Sequence, residues 1–121
     1  MSSPAFESLR VWHESRRLTK RIYQITHSGP FARDFAFRDQ IRRAALSVMS
    51  NIAEGCEGGG RRHFAHFLTI AKGSAAEVRS QLYAAEDVEY LDARASSEVR
   101  AEFLSLSRQI AALIAQLEHR A

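Results

Sequence analysis

Residues 40–55 read QIRRAALSVMSNIAEG, and the fold of the whole chain is best inferred from this stretch. Its apolar residues recur at helical spacing, which predicts a helix buried in a core. Leu46, Met49 and Ala53 lie outside the main apolar stripe, so the helix is apolar on more than one face. Such a helix is expected to pack against more than one neighbour.

The same periodicity predicts three more helices, and glycine, proline and capping residues mark where they begin and end. The four predicted helices cover residues 7–26, 38–55, 61–89 and 93–119. Gly55 is predicted to end the second helix, Asp92 to cap the fourth, and residues 31–37 to form an aromatic connection. Nothing alternates with a period of two. The prediction is therefore an all-α, antiparallel up-and-down four-helix bundle, forming a single domain over residues 1–121.

The first predicted helix has two faces to bury. Val11 and Leu18 belong to its main apolar stripe, and Trp12, Thr19 and Tyr23 form a second stripe roughly 100° around the helix. With the extra apolar face of the second helix, this is more apolar surface than one bundle core needs. Trp12 and Tyr23 are therefore predicted to be structural or assembly residues.

Basic residues are concentrated in the first part of the chain. The net charge is +3, but residues 1–72 contain 12 basic and 6 acidic residues, and residues 73–121 contain 5 and 8. Arginines at a helix N-terminus and along one helix face favour a polyanionic partner, RNA or DNA held through its phosphates. The alternative is a solvated face that keeps the protein soluble. The predicted nucleic-acid-binding residues are Arg10, Arg17, Lys20, Arg21, Arg38, Arg61 and Arg62.

Five further polar or small positions are assigned to folding or assembly, namely Arg42, Arg43, Asn51, Glu54 and Gly73. Arg42 and Arg43 are expected to pair with carboxylates such as Asp39 or Glu54, within or between subunits, because an arginine beside a buried face needs a partner. Asn51 borders the core stripe in helical projection. A separate feature is Gly73, in the middle of a predicted helix, which is a candidate for close helix approach. Glu14 is expected to pair with Arg10 and Arg17.

Catalytic and metal-binding patterns are weak. The chain has no Glu-x-x-His, and His63-x-x-His66 is only half of a zinc site. Cys56 follows a predicted helix end, where the helix dipole disfavours a thiolate. The glycines at 58–60 lack the Gly-Lys-Ser/Thr ending of a phosphate loop. No metal, cofactor or enzymatic activity is predicted, and with no signal segment and no apolar run of about 18 residues, a cytoplasmic, non-membrane protein is expected.

Several segments resemble the four-helix-bundle family related to the 23S rRNA intervening-sequence proteins, also known as S23 ribosomal proteins. The matching segments are FESLRVW at 6–12, IY at 22–23 with Thr26, QIRRAA at 40–45, NIAEG at 51–55, and Phe64 with FL-x-IA-x-GS at 67–74. Two positions depart from the family pattern. Arg38 replaces a Ser or Thr able to cap the second helix, and Met49 replaces a common proline.

The resemblance implies a non-enzymatic bundle that assembles into a homo-oligomeric ring, a homopentamer. The chain is also similar to the accessory variability proteins of diversity-generating retroelements, which are basic pentamers that work with a reverse transcriptase and RNA. Two functional hypotheses follow. The first is an oligomeric scaffold that binds RNA or DNA through a basic surface, and the second is a protein-interaction scaffold with no nucleic-acid role.

Overall fold

The computed structural model describes residues 5–119. The described part is helical, with a 3₁₀ helix at Phe6–Ser8 and no strand. Its α-helices are α1 (Arg10–Ile25), α2 (Gly29–Arg33), α3 (Phe35–Glu57), α4 (Arg61–Asp87) and α5 (Ala93–Glu118). The predicted all-α class is confirmed, since four of these helices are long and pack side by side.

The long helices follow one another around the bundle in the order α1, α3, α4, α5. α4 packs extensively on α3 and α5, whereas α1 packs on α3 and only lightly on α5. α3 and α5 therefore lie diagonally across the bundle from each other. The core side chains come from all four long helices and α2, and the largest fully buried ones are Leu18, Ile22, Phe31, Ile41, Ile52, Leu68, Leu82, Phe103, Leu106 and Ile110.

The structure differs from the prediction in the start of the first helix, in the connection that follows it and in the start of the next long helix. The first helix begins at Arg10 because Leu9 is extended, with φ −86° and ψ 127°. The predicted connection contains α2, since Pro30 occupies the start of a helix, where its missing N–H costs nothing. α3 begins earlier than predicted because the Asp34 carboxylate accepts a hydrogen bond from the backbone N–H of Phe37 at 3.2 Å.

Neither of the two glycines singled out in the sequence has its predicted role. Gly55 does not end α3, which continues to Glu57; it is buried inside the helix and faces α4. Gly73 was predicted to allow close approach between helices, but it is exposed, and a Cβ added there would meet no described atom within 4 Å. Within one chain, the close approach therefore occurs at Gly55.

Candidate nucleic-acid interface

α1 carries most of the excess positive charge of the bundle. It has five basic residues and one acidic residue, Glu14. The other long helices are nearly balanced, with three basic and three acidic residues in α3, four and three in α4, and three and three in α5. The basic residues of α1 are Arg10, Arg16, Arg17, Lys20 and Arg21.

Arg10, Arg17 and Arg21 lie in one stripe of α1 that faces α5. Arg17 lies 7 residues after Arg10 and Arg21 lies 4 residues after Arg17. At 100° per residue, all three side chains therefore lie within about 40° of one another around the helix. Arg10 lines a groove with the α5 residue Gln109, and Arg17 reaches the α5 residue Glu102. The stripe therefore forms the α1–α5 edge of the bundle.

Arg17 is already neutralised by two carboxylates. Its guanidinium is 2.6 Å from Glu102 and 2.9 Å from Glu14. These hydrogen bonds, first to Glu14 and then to Glu102, raise the pKa of Arg17. The expected Arg17–Glu14 pair is confirmed, while Arg10 forms no ion pair with Glu14 within the described chain. Arg17 is thus a weaker candidate for phosphate binding than the sequence indicated.

Arg21 is better placed to bind an anion than Arg17. It makes no ion pair among residues 5–119, and its Nε is buried without a hydrogen-bond partner there. Arg10, which is exposed in the same stripe, likewise forms no ion pair with a described residue. These two residues are the cations of the α1–α5 edge.

Lys20 and Arg16 lie on the outer arc of α1, turned away from that stripe. Lys20 lines a shallow groove with Tyr23 and His27. Arg16 was not among the predicted binding residues, yet it is exposed, and its guanidinium carbon lies 5.7 Å from the centre of the Trp12 ring. Its position in a run of basic residues was a sequence signal that could have identified it.

Arg61 and Arg62 lie on the opposite edge of α5. Both are exposed in the first turn of α4 and line a groove with Leu117 and Glu118 at the end of α5. The N-cap residue Gly60 offers no side chain to this turn, so the first backbone N–H groups have no side-chain cap. Positive groups therefore flank α5 on its α4 side as well.

Arg38 belongs to a different region. It lies near the start of α3, where it pairs with Asp39 at 3.0 Å, donates to the carbonyl of Ala32 and stacks over Phe35. The predicted set is therefore not one continuous surface. Of its seven residues, the structure places five at the two edges of α5, namely Arg10, Arg17, Arg21, Arg61 and Arg62.

The surface of α5 between these edges has many small side chains, together with Arg108 and the Arg94–Glu98 ion pair. Its exposed positions include Ser97, Ala101, Ser105 and Ala112, with Arg108 among them. Small residues leave the basic side chains of α1 and α4 as the raised rims of this face. We call it the α5 face; its cations are Arg10, Arg21, Arg61, Arg62 and Arg108.

A second surface, formed by α1 and α3, is more apolar. Tyr23 is 38% exposed, Leu46 40% and Phe35 64%, and the partly buried Trp12 and Met49 belong to the same helix faces. We call it the α1–α3 face. Of the extra apolar-face residues predicted for the first two long helices, Trp12, Tyr23, Leu46 and Met49 lie on this surface. Thr19 does not, because it is buried and donates to the Ala45 carbonyl of α3 at 3.2 Å.

Arg42 and Glu54 do not behave as predicted within one chain. Arg42 donates from Nε to the Thr26 hydroxyl at 2.8 Å and lies 4.4 Å over the Tyr23 ring, without a carboxylate partner among the described residues. Asp39 forms its ion pair with Arg38 instead. The Glu54 side chain is exposed and belongs to none of the ion pairs within residues 5–119.

Asn51 and Arg43 lie on the α3–α4 side of the bundle. Asn51 donates to the carbonyl and hydroxyl of Ser47, and Ser47 is hydrogen-bonded to Ser74 of α4 at 2.9 Å. Arg43 is exposed and lines a groove with Glu77, without an ion pair in the described chain. Asn51 thus supports a polar contact between helices, whereas the carboxylate partner predicted for Arg43 is not seen among residues 5–119.

Other candidate sites offer little chemistry. No three His, Cys, Asp or Glu side chains of residues 5–119 lie together as a metal site would require. Burial, then Glu57 and Glu7, raise the pKa of the Cys56 thiol, which disfavours the reactive thiolate. Across the described helices, none combines the length and apolarity needed to cross a membrane.

Comparisons with known proteins agree with this architecture. The sequence profile of the family described as 23S rRNA-intervening sequence protein matches residues 7–112. A protein of unknown function from the S23 ribosomal protein family of Bacteroides thetaiotaomicron VPI-5482 has a similar crystal structure. The TM-score is 0.78 at 22% sequence identity, over 86% of this chain and 97% of that chain. No curated protein matches the chain in sequence.

Proposed function

Because this chain belongs to the 23S rRNA-intervening sequence protein family, we propose that it is a non-enzymatic scaffold that binds RNA or DNA across the α5 face. The observation that carries the proposal is the placement of cations on both edges of α5. Arg10 and Arg21 stand on one edge and Arg61 and Arg62 on the other, without ion pairs within the described chain. Such cations release counterions when they meet phosphates, which supplies most of the affinity of backbone binding.

Binding of this kind reads the backbone rather than the bases. Among residues 5–119 no helix projects from the α5 face, and several of its central side chains, such as Ser97, Ala101 and Ser105, are short. Contacts to phosphates position a nucleic acid without selecting its sequence. We therefore expect weak sequence preference and strong salt dependence. A structured RNA and a DNA duplex of the same sequence would separate recognition of the 2′-hydroxyl from recognition of phosphate alone.

The test compares two double variants with equal loss of charge. Arg10→Gln/Arg21→Gln alters the α5 face, and Arg33→Gln/Arg43→Gln removes two exposed arginines elsewhere, one of them on the diagonally opposite α3. Affinity for a labelled RNA hairpin is measured by fluorescence anisotropy over a series of salt concentrations. The first variant should weaken binding and reduce the salt slope by about 1–2, whereas the second should leave the slope unchanged.

Two results would contradict the proposal. One is the absence of binding to both RNA and DNA at physiological salt. The other is an equal effect of both double variants, because that would reflect net charge rather than a defined surface. Arg17 is unsuitable for this test because it pairs with Glu14 and Glu102. Its substitution would break both ion pairs, so a loss of stability could be mistaken for a loss of binding.

The α1–α3 face favours a protein-binding role in addition. Tyr23, Phe35 and Leu46 are large apolar side chains exposed on α1 and α3, and exposed apolar patches mark interaction surfaces. We propose a second copy of this chain as its partner, in a homo-oligomer that the family resemblance describes as a homopentamer. The alternative is a different protein partner, and a mass measurement on the purified protein distinguishes the two.

A further inference from the structure

A contact between a tyrosine and an arginine lies on the α4–α5 edge, and neither residue belongs to any set predicted from the sequence. Tyr83 is 55% exposed, and the guanidinium carbon of Arg100 lies 3.8 Å from the centre of its ring. The two residues line a groove of about 370 Å³ together with Arg79 and the apolar Leu104. This volume falls at the small end of the range for ligand sites.

Arg100 is held in place by its own contacts. Its Nε donates to the Ser96 hydroxyl at 3.1 Å and its Nη2 to the Glu86 carboxylate at 3.2 Å. Its side chain is only 19% exposed. The cation is therefore fixed over the tyrosine before any ligand arrives, and little side-chain entropy remains to be lost on binding.

Arg79 gives the groove a second cation. It donates from Nη1 to the Ser107 hydroxyl at 3.4 Å and forms no ion pair among residues 5–119. The groove thus combines an exposed aromatic ring and two arginines. The Glu86 carboxylate is not part of its lining and is already paired with Arg100. The chemistry of the groove suits a ligand with both a flat ring and a negative charge.

We propose that Tyr83 and Arg100 form a stacking site for one base of a single-stranded nucleic acid, with Arg79 available to its phosphate. Bases stack on aromatic side chains and on arginine planes without regard to sequence. The site lies on the same α4–α5 edge as Arg61 and Arg62, so it extends the α5 face. It deepens the proposed nucleic-acid function and rests on it.

The experiment uses two 12-residue RNA probes, one of uridine and one with the same backbone but no bases. Tyr83→Leu removes the aromatic ring, and Tyr83→Phe retains it as the matched control. We expect Tyr83→Leu to bind the uridine probe about tenfold more weakly, because stacking on an aromatic side chain is worth about 1–3 kcal/mol per base. Tyr83→Phe should bind like the unmodified protein, and affinity for the base-free probe should be the same in all three proteins.

Three results would overturn the stacking site, and a fourth would overturn both proposals. Equal losses on both probes, or no loss on the uridine probe, would show that Tyr83 does not stack on a base. A change in oligomer mass in Tyr83→Leu, without a base-dependent loss, would make the groove a protein contact. If one of these results is obtained while Arg10→Gln/Arg21→Gln still lowers the salt slope of hairpin binding, only the stacking site is overturned. The proposed binding across the α5 face then stands. No binding of either probe by the unmodified protein, together with no RNA or DNA binding across the α5 face, overturns both proposals.

Discussion

Gly55 of α3 lies so close to Phe67 of α4 that a Cβ atom added to the glycine would be 2.7 Å from the phenylalanine Cβ. The same atom would be 3.3 Å from the backbone carbonyl oxygen of Phe64. A backbone neighbour and a Cβ cannot rotate away as the end of a flexible side chain can. The absence of a side chain at Gly55 therefore sets the distance between the two helices.

We predict that Gly55→Ala lowers the free energy of unfolding by about 1–2 kcal/mol, because overpacking outweighs the gain in helix propensity. Gly73→Ala is the matched control, in a helix interior where the new methyl group meets nothing within 4 Å. It should raise the free energy of unfolding by about 0.5–1 kcal/mol. Urea denaturation of the two variants checks both signs. A Gly55→Ala protein as stable as the unmodified chain would show that the helices separate at little cost.

This pair of glycines also shows how far the sequence could be interpreted. Periodicity predicted the four long helices and placed Ile41 and Val48 in the core, because a helical stripe depends only on local spacing. It could not distinguish Gly55 from Gly73, since close approach depends on which residue of another helix lies opposite. Likewise, helical spacing grouped four basic residues of α1, namely Arg10, Arg17, Lys20 and Arg21. It could not show that Glu102 of α5, which is 85 residues from Arg17, lies beside Arg17.

A second prediction concerns the partner of Arg42. Thr26 is fully buried, and its hydroxyl accepts from the Arg42 Nε at 2.8 Å while donating to the Ile22 carbonyl at the same distance. Thr26→Val keeps the volume but leaves the guanidinium N–H without this acceptor. We expect a loss of about 1–2 kcal/mol in the free energy of unfolding, measured by urea denaturation.

Glu54→Ala is the comparison for that variant, because the sequence assigned the pairing role to Glu54. Its exposed carboxylate has no ion pair within the described chain, so the change should stay within about 0.5 kcal/mol. If Glu54→Ala lowers the free energy of unfolding more than Thr26→Val does, Glu54 rather than Thr26 is the stabilising partner. A drop in oligomer mass with unchanged stability of the chain would instead place the partner of Glu54 in another subunit.

The third prediction tests assembly through the α1–α3 face. Leu46→Glu puts a charge in the middle of that face, and we expect a smaller oligomer, because an unpaired charge buried in an interface is costly. Leu104→Glu is a matched control, since Leu104 is 36% exposed against 40% for Leu46 but lies on the α4–α5 edge. Light scattering coupled to size exclusion gives the mass of each variant, and circular dichroism confirms that both remain helical. Dissociation of the Leu104→Glu protein but not the Leu46→Glu protein would move the interface to the other side of the bundle.

The last prediction concerns alkaline pH and the contact between Tyr90 and Asp34. The Tyr90 hydroxyl donates to the Asp34 carboxylate at 2.9 Å, joining the turn before α5 to the N-cap of α3. This hydrogen bond, followed by burial and the charge of Asp34, raises the pKa of Tyr90 above its ordinary value of 10.0. The folded chain therefore holds this proton more tightly than the unfolded chain does.

The sign of the effect follows from linkage. Below pH 10 the tyrosine is protonated in both states and its contribution to stability is complete. As the pH rises above 10, the unfolded chain loses the proton first, so the free energy of unfolding falls until the folded chain also ionises. Tyr90→Phe lacks this proton, and its stability should decline less over the same range. Urea denaturation of both proteins between pH 8 and about 11 measures the difference, and a difference that stays constant across that range would rule out the Tyr90–Asp34 hydrogen bond as its source.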